Sequence, residues 1–270
     1  MHAKTSTSLL LIGVFFALSV PAGSSLAESA VRFLALGDAP YSASEQAQLD
    51  ELLARELPRG TPFLVHTGDI KAGSSPCTDE ALAGVAERFR RLPVPVVYTP
   101  GDNVWTDCRR PAAGGYDPME RLTLLRRIYY GDPGVLRLAM LDVVVPDTEL
   151  PENYHFLFRD VLVATVHVVG SRNNLEGREP AAIVEYEARS AANSRHLQSV
   201  AETAATANAL ALVLVFHANA DLEKDDPPTA YQLFHEDLHG LLRSYPGPVL
   251  AIHGDTHEFR FDRPLRDQGS

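Results

Sequence analysis

Four segments of this chain run an apolar, β-branched stretch into glycine and aspartate: Leu36-Gly37-Asp38, Thr67-Gly68-Asp69, Pro100-Gly101-Asp102 and His253-Gly254-Asp255. Aspartate supplies a hard oxygen donor, and glycine lets the chain turn sharply and lets another group approach the backbone. Gly-Asp is also a common turn dipeptide, and any one of the four taken alone is more often a loop than a ligand. The repetition is what carries weight, because each follows a run with strand character: Val31 to Leu36, Phe63 to His66, Pro95 to Tyr98 and Val249 to His253. Four such ends, side by side in one sheet, would form a cage for a hard metal ion. His217 closes a further apolar run, and His257 stands two residues beyond Asp255, adding imidazole donors. A mixed oxygen and nitrogen inventory of this kind suits a pair of divalent ions sharing a carboxylate, with metal-bound hydroxide as nucleophile.

The elements that must position these groups follow from the pattern around them. Strand and helix signals alternate for most of the 270 residues, which predicts an α/β layered fold in a single domain over 28–270. Ser42 and Glu45 form a capping box opening a helix to about Leu57. A second helix follows Thr78 to about Arg91, and a third begins at Asp117 with Leu122, Leu125, Ile128 and Tyr129 on one face. Tyr154 to Phe158 and Val161 to Val169 predict a hairpin at Arg159-Asp160, hence a mixed sheet. A polar loop, Gly170 to Asn174, leads to a long helix from about Ala181 to Asn208. The strand Leu210 to Phe216, a helix from Thr229 to Tyr245 and the last Gly-Asp strand complete the series.

The N-terminus carries Lys4, an apolar run from Leu9 to Val20, then Pro21 and Ser25-Leu26-Ala27. That predicts a signal peptide over 1–27 and a periplasmic or secreted protein. The run of about 12 residues is short of the roughly 20 that a membrane-spanning helix needs. Removing Lys4 moves the formal charge of −11 to −12, and so acidic a chain is a poor partner for nucleic acid. Export permits disulfides. Cys77 and Cys108 follow the second and third Gly-Asp segments by eight and six residues, so a bridge between neighbouring loops is one reading and two buried thiols the other.

In order and context, Gly37-Asp38, Gly68-Asp69, Pro100-Gly101-Asp102-Asn103, His217 and Gly254-Asp255-Thr256-His257 resemble the calcineurin-like metallophosphoesterases, whose pattern is D-x-H, GD, GN-H-D/E, a strand-end histidine and GHxH. The resemblance spans about residues 31 to 260. It implies a two-sheet α/β/β/α sandwich with mixed sheets. It also implies a dinuclear site hydrolysing a small phosphomonoester or phosphodiester by a metal-bound hydroxide. Asp38 would ligate the first metal, Asp69 would bridge both, His217 would bind the second, and His257 would complete the first.

The chain departs from that pattern at Pro40, where histidine is expected, at Asp102 and Asn103, where asparagine and histidine are expected, and at Asp255, in place of histidine. Asp102 and Asp255 keep metal-binding capacity while making the donor set harder and more anionic, with Asn103 a further candidate ligand, which predicts Mn, Fe, Mg or Ca rather than a soft-ligand zinc site. Purple acid phosphatases, relatives that also lack the first histidine, use a tyrosine on iron; Tyr41 and Tyr98 do not occupy that position and read as structural. Asn103 donates a hydrogen bond but cannot give up a proton. His66 and His253 are the alternatives near the ligands, with His253 taken beside Asn103 as catalytic, although either also reads as a core histidine. His167 reads as structural, and His235 and His239 as a packed or solvated helix face. Arg109 and Arg110, and Arg172 and Asn173, are the candidate phosphate donors at the same edge, with surface arginine the other reading.

A second class of function, a phosphoesterase-like protein that binds metal or ligand without turnover, is favoured by Pro40 and the lost histidine. It is opposed by the retained and added carboxylates. An oxidoreductase is excluded by the want of a glycine-rich dinucleotide loop after Val31 to Leu36. The chain ends 13 residues after His257, whereas the resembled fold continues into further strands. Phe259 to Phe261 would begin one, so a C-terminal truncation with an exposed sheet edge is expected. The sequence is silent on oligomeric state.

Overall fold

The computed structural model describes residues 30–175 and 179–265, so the expected leader lies outside the described residues. Two sheets organise the chain. In the first, β1 (Leu34–Leu36), β2 (Leu64–His66) and β3 (Val96–Tyr98) are parallel in the order β1-β2-β3. In the second, β4 (His155–Phe158) pairs antiparallel with β5 (Val161–Thr165), which continues in parallel to β6 (Ala211–Val215) and β7 (Val249–Ile252). The four Gly-Asp ends therefore do not share one sheet: Asp38, Asp69 and Asp102 follow the first, and Asp255 follows the second.

Strand parity explains the layering. Val65 and Val97 of the first sheet meet Phe156, Val163, Val213 and Val215 of the second in a core between the sheets. Their neighbours point outward: Val96 and Tyr98 onto α2 (Asp79–Arg91) and α3 (Pro118–Leu125), and Leu162, Ala164, Leu212 and Leu214 onto α4 (Pro180–Thr206) and α5 (Thr229–Ser244). Leu64 packs on α1 (Ala43–Glu56). With both faces covered, β6 reads as an unbroken apolar run and is buried throughout. The result is helices, sheet, sheet, helices, in that order.

Helix ends obey their local signals. Ser42 caps α1 by accepting from Glu45 N–H, and Thr78 caps α2 by accepting from Ala81 N–H. Asp117 caps α3, which runs into a π-helical turn over Arg126–Tyr130 that carries Tyr129 into the core. Cys77 and Cys108 are bonded to each other, with Cα atoms 5.7 Å apart. The bridge joins the loops after β2 and β3 and stabilises them by roughly 4 kcal/mol on the chain-entropy model. No helix among the described residues is long and apolar enough to cross a membrane. Phe259 and Phe261 are exposed and belong to no strand, so the further strand expected there is not formed.

Candidate metal centre

The parallel strands of both sheets stop at one edge, and two contacts lock those ends together. His217 Nδ1 lies 2.8 Å from Thr67 O, and Asp255 N–H donates to both carboxylate oxygens of Asp38 at 3.0 Å. Asp38, Asp69 and His217 form one set of converging donors, and Asp102, His217 and Asp255 another. Two motif glycines and Gly170 show why the strand ends approach so closely. A Cβ at Gly101 would stand 2.0 Å from Asp69 Oδ1, one at Gly254 2.4 Å from Asp38 Oδ2, and one at Gly170 2.5 Å from Asp102 Oδ2. Each glycine is the floor beneath an aspartate from a different strand end.

Backbone conformation points the same way. Asp38, Asp69, Asp255 and His257 all adopt left-handed φ values, between 52° and 75°. So do Ser171, Arg172, Asn173 and Asn174 in succession, and eight of the thirteen such non-glycine residues described thus lie around this edge. A left-handed L-residue costs roughly 1–2 kcal/mol, less for Asp and Asn. Strain concentrated in this way needs compensating contacts, and the carboxylates and the Asn173 and Asn174 amides supply them.

His217 is the hinge of the electrostatics. A carbonyl oxygen only accepts, so Nδ1 carries a proton to Thr67 O and directs Nε2 inward. That atom is fully buried, 3.4 Å from Asp102 Oδ1 and 3.7 Å from Asp69 Oδ1, and hydrogen-bonds to neither. An orphaned buried imidazole nitrogen between two carboxylates fits a metal ion, with the carbonyl beyond fixing the ring. Burial pushes Asp69 up to about 8, assisted by Asp102 and Asp38 and opposed by His217. Burial also raises Asp102, but the nearby His217 imidazole and the Ser171 hydroxyl draw it down to about 2. Burial disfavours charge on His217, yet the surrounding carboxylates outweigh it and hold its pKa well above the ordinary value. Without an ion, protonation of Asp69 and of His217 is what offsets the crowded negative charge.

Asp69 faces both halves of the site. Its Oδ1 accepts from Asn103 N–H at 3.0 Å on the His217 side, and its Oδ2 accepts from the Tyr41 hydroxyl at 3.3 Å. Tyr41 also lies 3.3 Å from His257 Nε2, which is 3.9 Å from Asp38 Oδ1. Tyr41, read from the sequence as structural, thus stands at the rim of the cluster with its hydroxyl against two of the donors. Tyr98 is a core residue.

Several other site residues stand differently from expectation. His253 is exposed with its ring stacked on Phe216, so it faces the helix layer; it lies one residue out of phase with His217. His66 accepts from Gly68 N–H and donates to Ala39 O, and burial lowers its pKa to about 4: a satisfied neutral core histidine. The Asn103 amide donates to Lys71 O and thereby holds the loop beyond Asp69. Asn173 cannot serve substrate. It is buried, its Nδ2 donates to Ala230 O, and its Oδ1 accepts from Val169 N–H and Arg189. Arg172 is exposed on the left-handed turn, and Arg109 is half-buried. The neighbouring Arg110 pairs with Asp107 and donates to Ser171 Oγ. His167 is held by Glu152, and His235 by Ala220 O, both buried.

Three participants are not marked by the sequence motifs. Ser171 Oγ lies 2.8 Å from Asp102 Oδ2 and 2.6 Å from Asp107 Oδ1, Thr67 supplies the carbonyl behind His217, and buried Lys71 donates to Ala72 O and Ser75 O. Burial lowers Lys71 to about 8 against the pull of Asp69, Asp107 and Asp102. Ser171 was signalled only by its polar loop at a strand end. The chain matches no protein-family model, no curated protein and no solved structure.

Proposed function

We propose that this chain is a metal-dependent phosphoesterase of the calcineurin-like type, exported from the cytoplasm, with a dinuclear site of Mn, Fe, Mg or Ca. The observation that carries the reading is the His217 Nε2 atom, buried without a partner between the Asp69 and Asp102 carboxylates. One imidazole lone pair serves one ion, so the two donor sets cannot both use His217. We assign His217, Asp102 and Asp255 to a deep ion, and Asp38, His257 and Tyr41 to a rim ion, with Asp69 between them.

Bound ions supply Lewis-acid activation of water and neutralise charge on phosphoryl oxygens. The protein's own groups do the rest. Asp255 and Asn103 backbone N–H groups orient Asp38 and Asp69. Arg110, tethered on Asp107 and Ser171, is a cation at the edge of the cluster that could meet a phosphoryl oxygen.

Metal analysis of the purified chain, with assays on p-nitrophenyl phosphate and its bis-ester in added Mn²⁺, tests the proposal. Bound metal with hydrolysis is expected. Bound metal without hydrolysis sinks the enzyme reading and leaves the second one, a binding protein without turnover. That alternative has its own support, since His66 and His253 point away from the cluster and Asn103 carries no titratable proton.

A further inference from the structure

The turn after β5 is four successive left-handed residues, Ser171 to Asn174, none of them glycine. Nothing in its local sequence requires that conformation. It is held from outside, chiefly by one residue. Arg189 on α4 is 1% exposed, and its guanidinium donates to His167 O at 3.0 Å, to Asn173 Oδ1 at 2.6 Å and to Asn173 O at 3.1 Å. Its Nε donates to Glu185, whose other oxygen accepts from the Asn174 amide at 2.8 Å. The same guanidinium lies 5.7 Å over the ring of Trp105, in the segment that follows Asp102. Arg189 therefore grips both stretches of chain that wall the deep half of the cluster.

On the metal side of the turn, Gly170 abuts the Asp102 and Asp255 carboxylates, and Ser171 Oγ hydrogen-bonds Asp102 Oδ2. We infer that Arg189 is a positioning residue for the deep metal ion, acting through the left-handed turn and Ser171 to fix the Asp102 carboxylate opposite His217. The inference rests on the two-ion reading above, and the orphaned His217 nitrogen is its independent support. A planar fork is required, because acceptors on Asn173, His167 and Glu185 must be met at once. Lysine keeps the charge but offers a single compact ammonium. In Arg189→Lys the turn loses its clamp and relaxes toward right-handed values. Ser171 then leaves Asp102, while Asp38, Tyr41 and His257 are untouched.

Mn²⁺ titration by calorimetry, with metal counting, on the full chain separates the outcomes. Wild type is expected to bind two ions. Arg189→Lys is expected to weaken the deep ion by about 10-fold or more, in the range typical of residues that orient metal ligands. The rim ion should stay within about twofold of its wild-type affinity, matching the single ion retained by His217→Ala. Ser171→Ala, which leaves the buried network intact, should weaken the deep ion in the same direction. The double variant should be no worse than Arg189→Lys alone, since both act along one path. Two ions of unchanged affinity in Arg189→Lys overturn the inference, and so does equal loss of both ions, which marks general destabilisation. Should Arg189→Lys fail to fold, unchanged deep affinity in Ser171→Ala overturns it. A wild-type chain that binds no ion overturns the functional reading instead.

Discussion

The two halves of the cluster are built to different standards. On the deep side, the side chains of His217, Asp69 and Asp102 are 0%, 3% and 9% exposed, and each is braced by a backbone group or a hydroxyl. On the rim side, His257 is 56% exposed beside Tyr41 and Asp38, while Asp38, 10% exposed, leans on the Asp255 N–H. Donors that are fixed before an ion arrives lose little freedom on binding it, and donors in solvent lose more. The deep ion should therefore bind tightly and stay, and the rim ion should exchange with solvent and meet substrate. Asp69 belongs to both halves, and substituting it removes the contrast altogether.

Asp69→Asn should give the largest effect: loss of both ions and of any hydrolysis, read by metal counting and by the p-nitrophenyl phosphate assay. The same change should raise the melting temperature of the metal-free chain, because an amide in that site needs no proton to be neutral. Retained metal would show that Asp69 does not join the two halves. His217→Ala separates them instead. It should leave one weakly held ion and reduce turnover at least 100-fold, since the residue it removes is the deep ion's one nitrogen donor. Two ions bound as in wild type would break the assignment of His217 to the deep side.

The pH dependence sharpens the contrast on the metal-free chain. Burial raises the Asp69 pKa from an ordinary 3.8 to about 8 in the folded protein. The folded state therefore holds a proton that the unfolded chain releases near pH 4. The stability this contributes is complete below about pH 3.8 and is lost as the pH rises through about 8. Under the proposed metal reading an ion would replace that proton, so the rise in melting temperature on adding Mn²⁺ should be larger at pH 8 than at pH 6. Equal rises at the two pH values would mean that no proton is exchanged for metal.

The contrast also marks how far sequence reasoning reaches. The Gly-Asp ends, the helix caps and the bridge between Cys77 and Cys108 are properties of a few adjacent residues or of neighbouring loops, and they are legible as such. What defeats a linear reading is the second role of each glycine. Gly101 lies under Asp69 and Gly254 under Asp38, so the repeat exists because strand ends from two sheets press together. The exchange of His253 for a place in the helix layer was decidable in principle: it is out of phase with His217, and counting from Phe216 sets the side each faces. The left-handed turn is another matter. Arg172 and Asn173 look like exposed anion donors in a polar loop, and only the burial of Arg189 against Asn173 turns one of them into scaffold. Arginines placed one residue apart, Arg109 and Arg110, are likewise separated only by the turn that carries them.

Tyr41→Phe should have the smallest effect and is the most selective probe of the rim. The phenol has a single proton. With that proton donated to Asp69 Oδ2, its oxygen is left to accept from His257 Nε2. Removing the hydroxyl takes that partner from His257 Nε2 and leaves it 3.9 Å from Asp38 Oδ1, too far for a hydrogen bond. The aromatic ring survives the change, so the edge-on packing of ring against imidazole is kept and the backbone should not move. The expected result is a rim ion weakened by about 10-fold, equivalent to roughly 1.4 kcal/mol, with the deep ion unchanged. If instead the deep ion weakens while the rim ion holds, the hydroxyl acts through Asp69 on the His217 side. The exposed half would then be only an entrance, not a metal site in its own right.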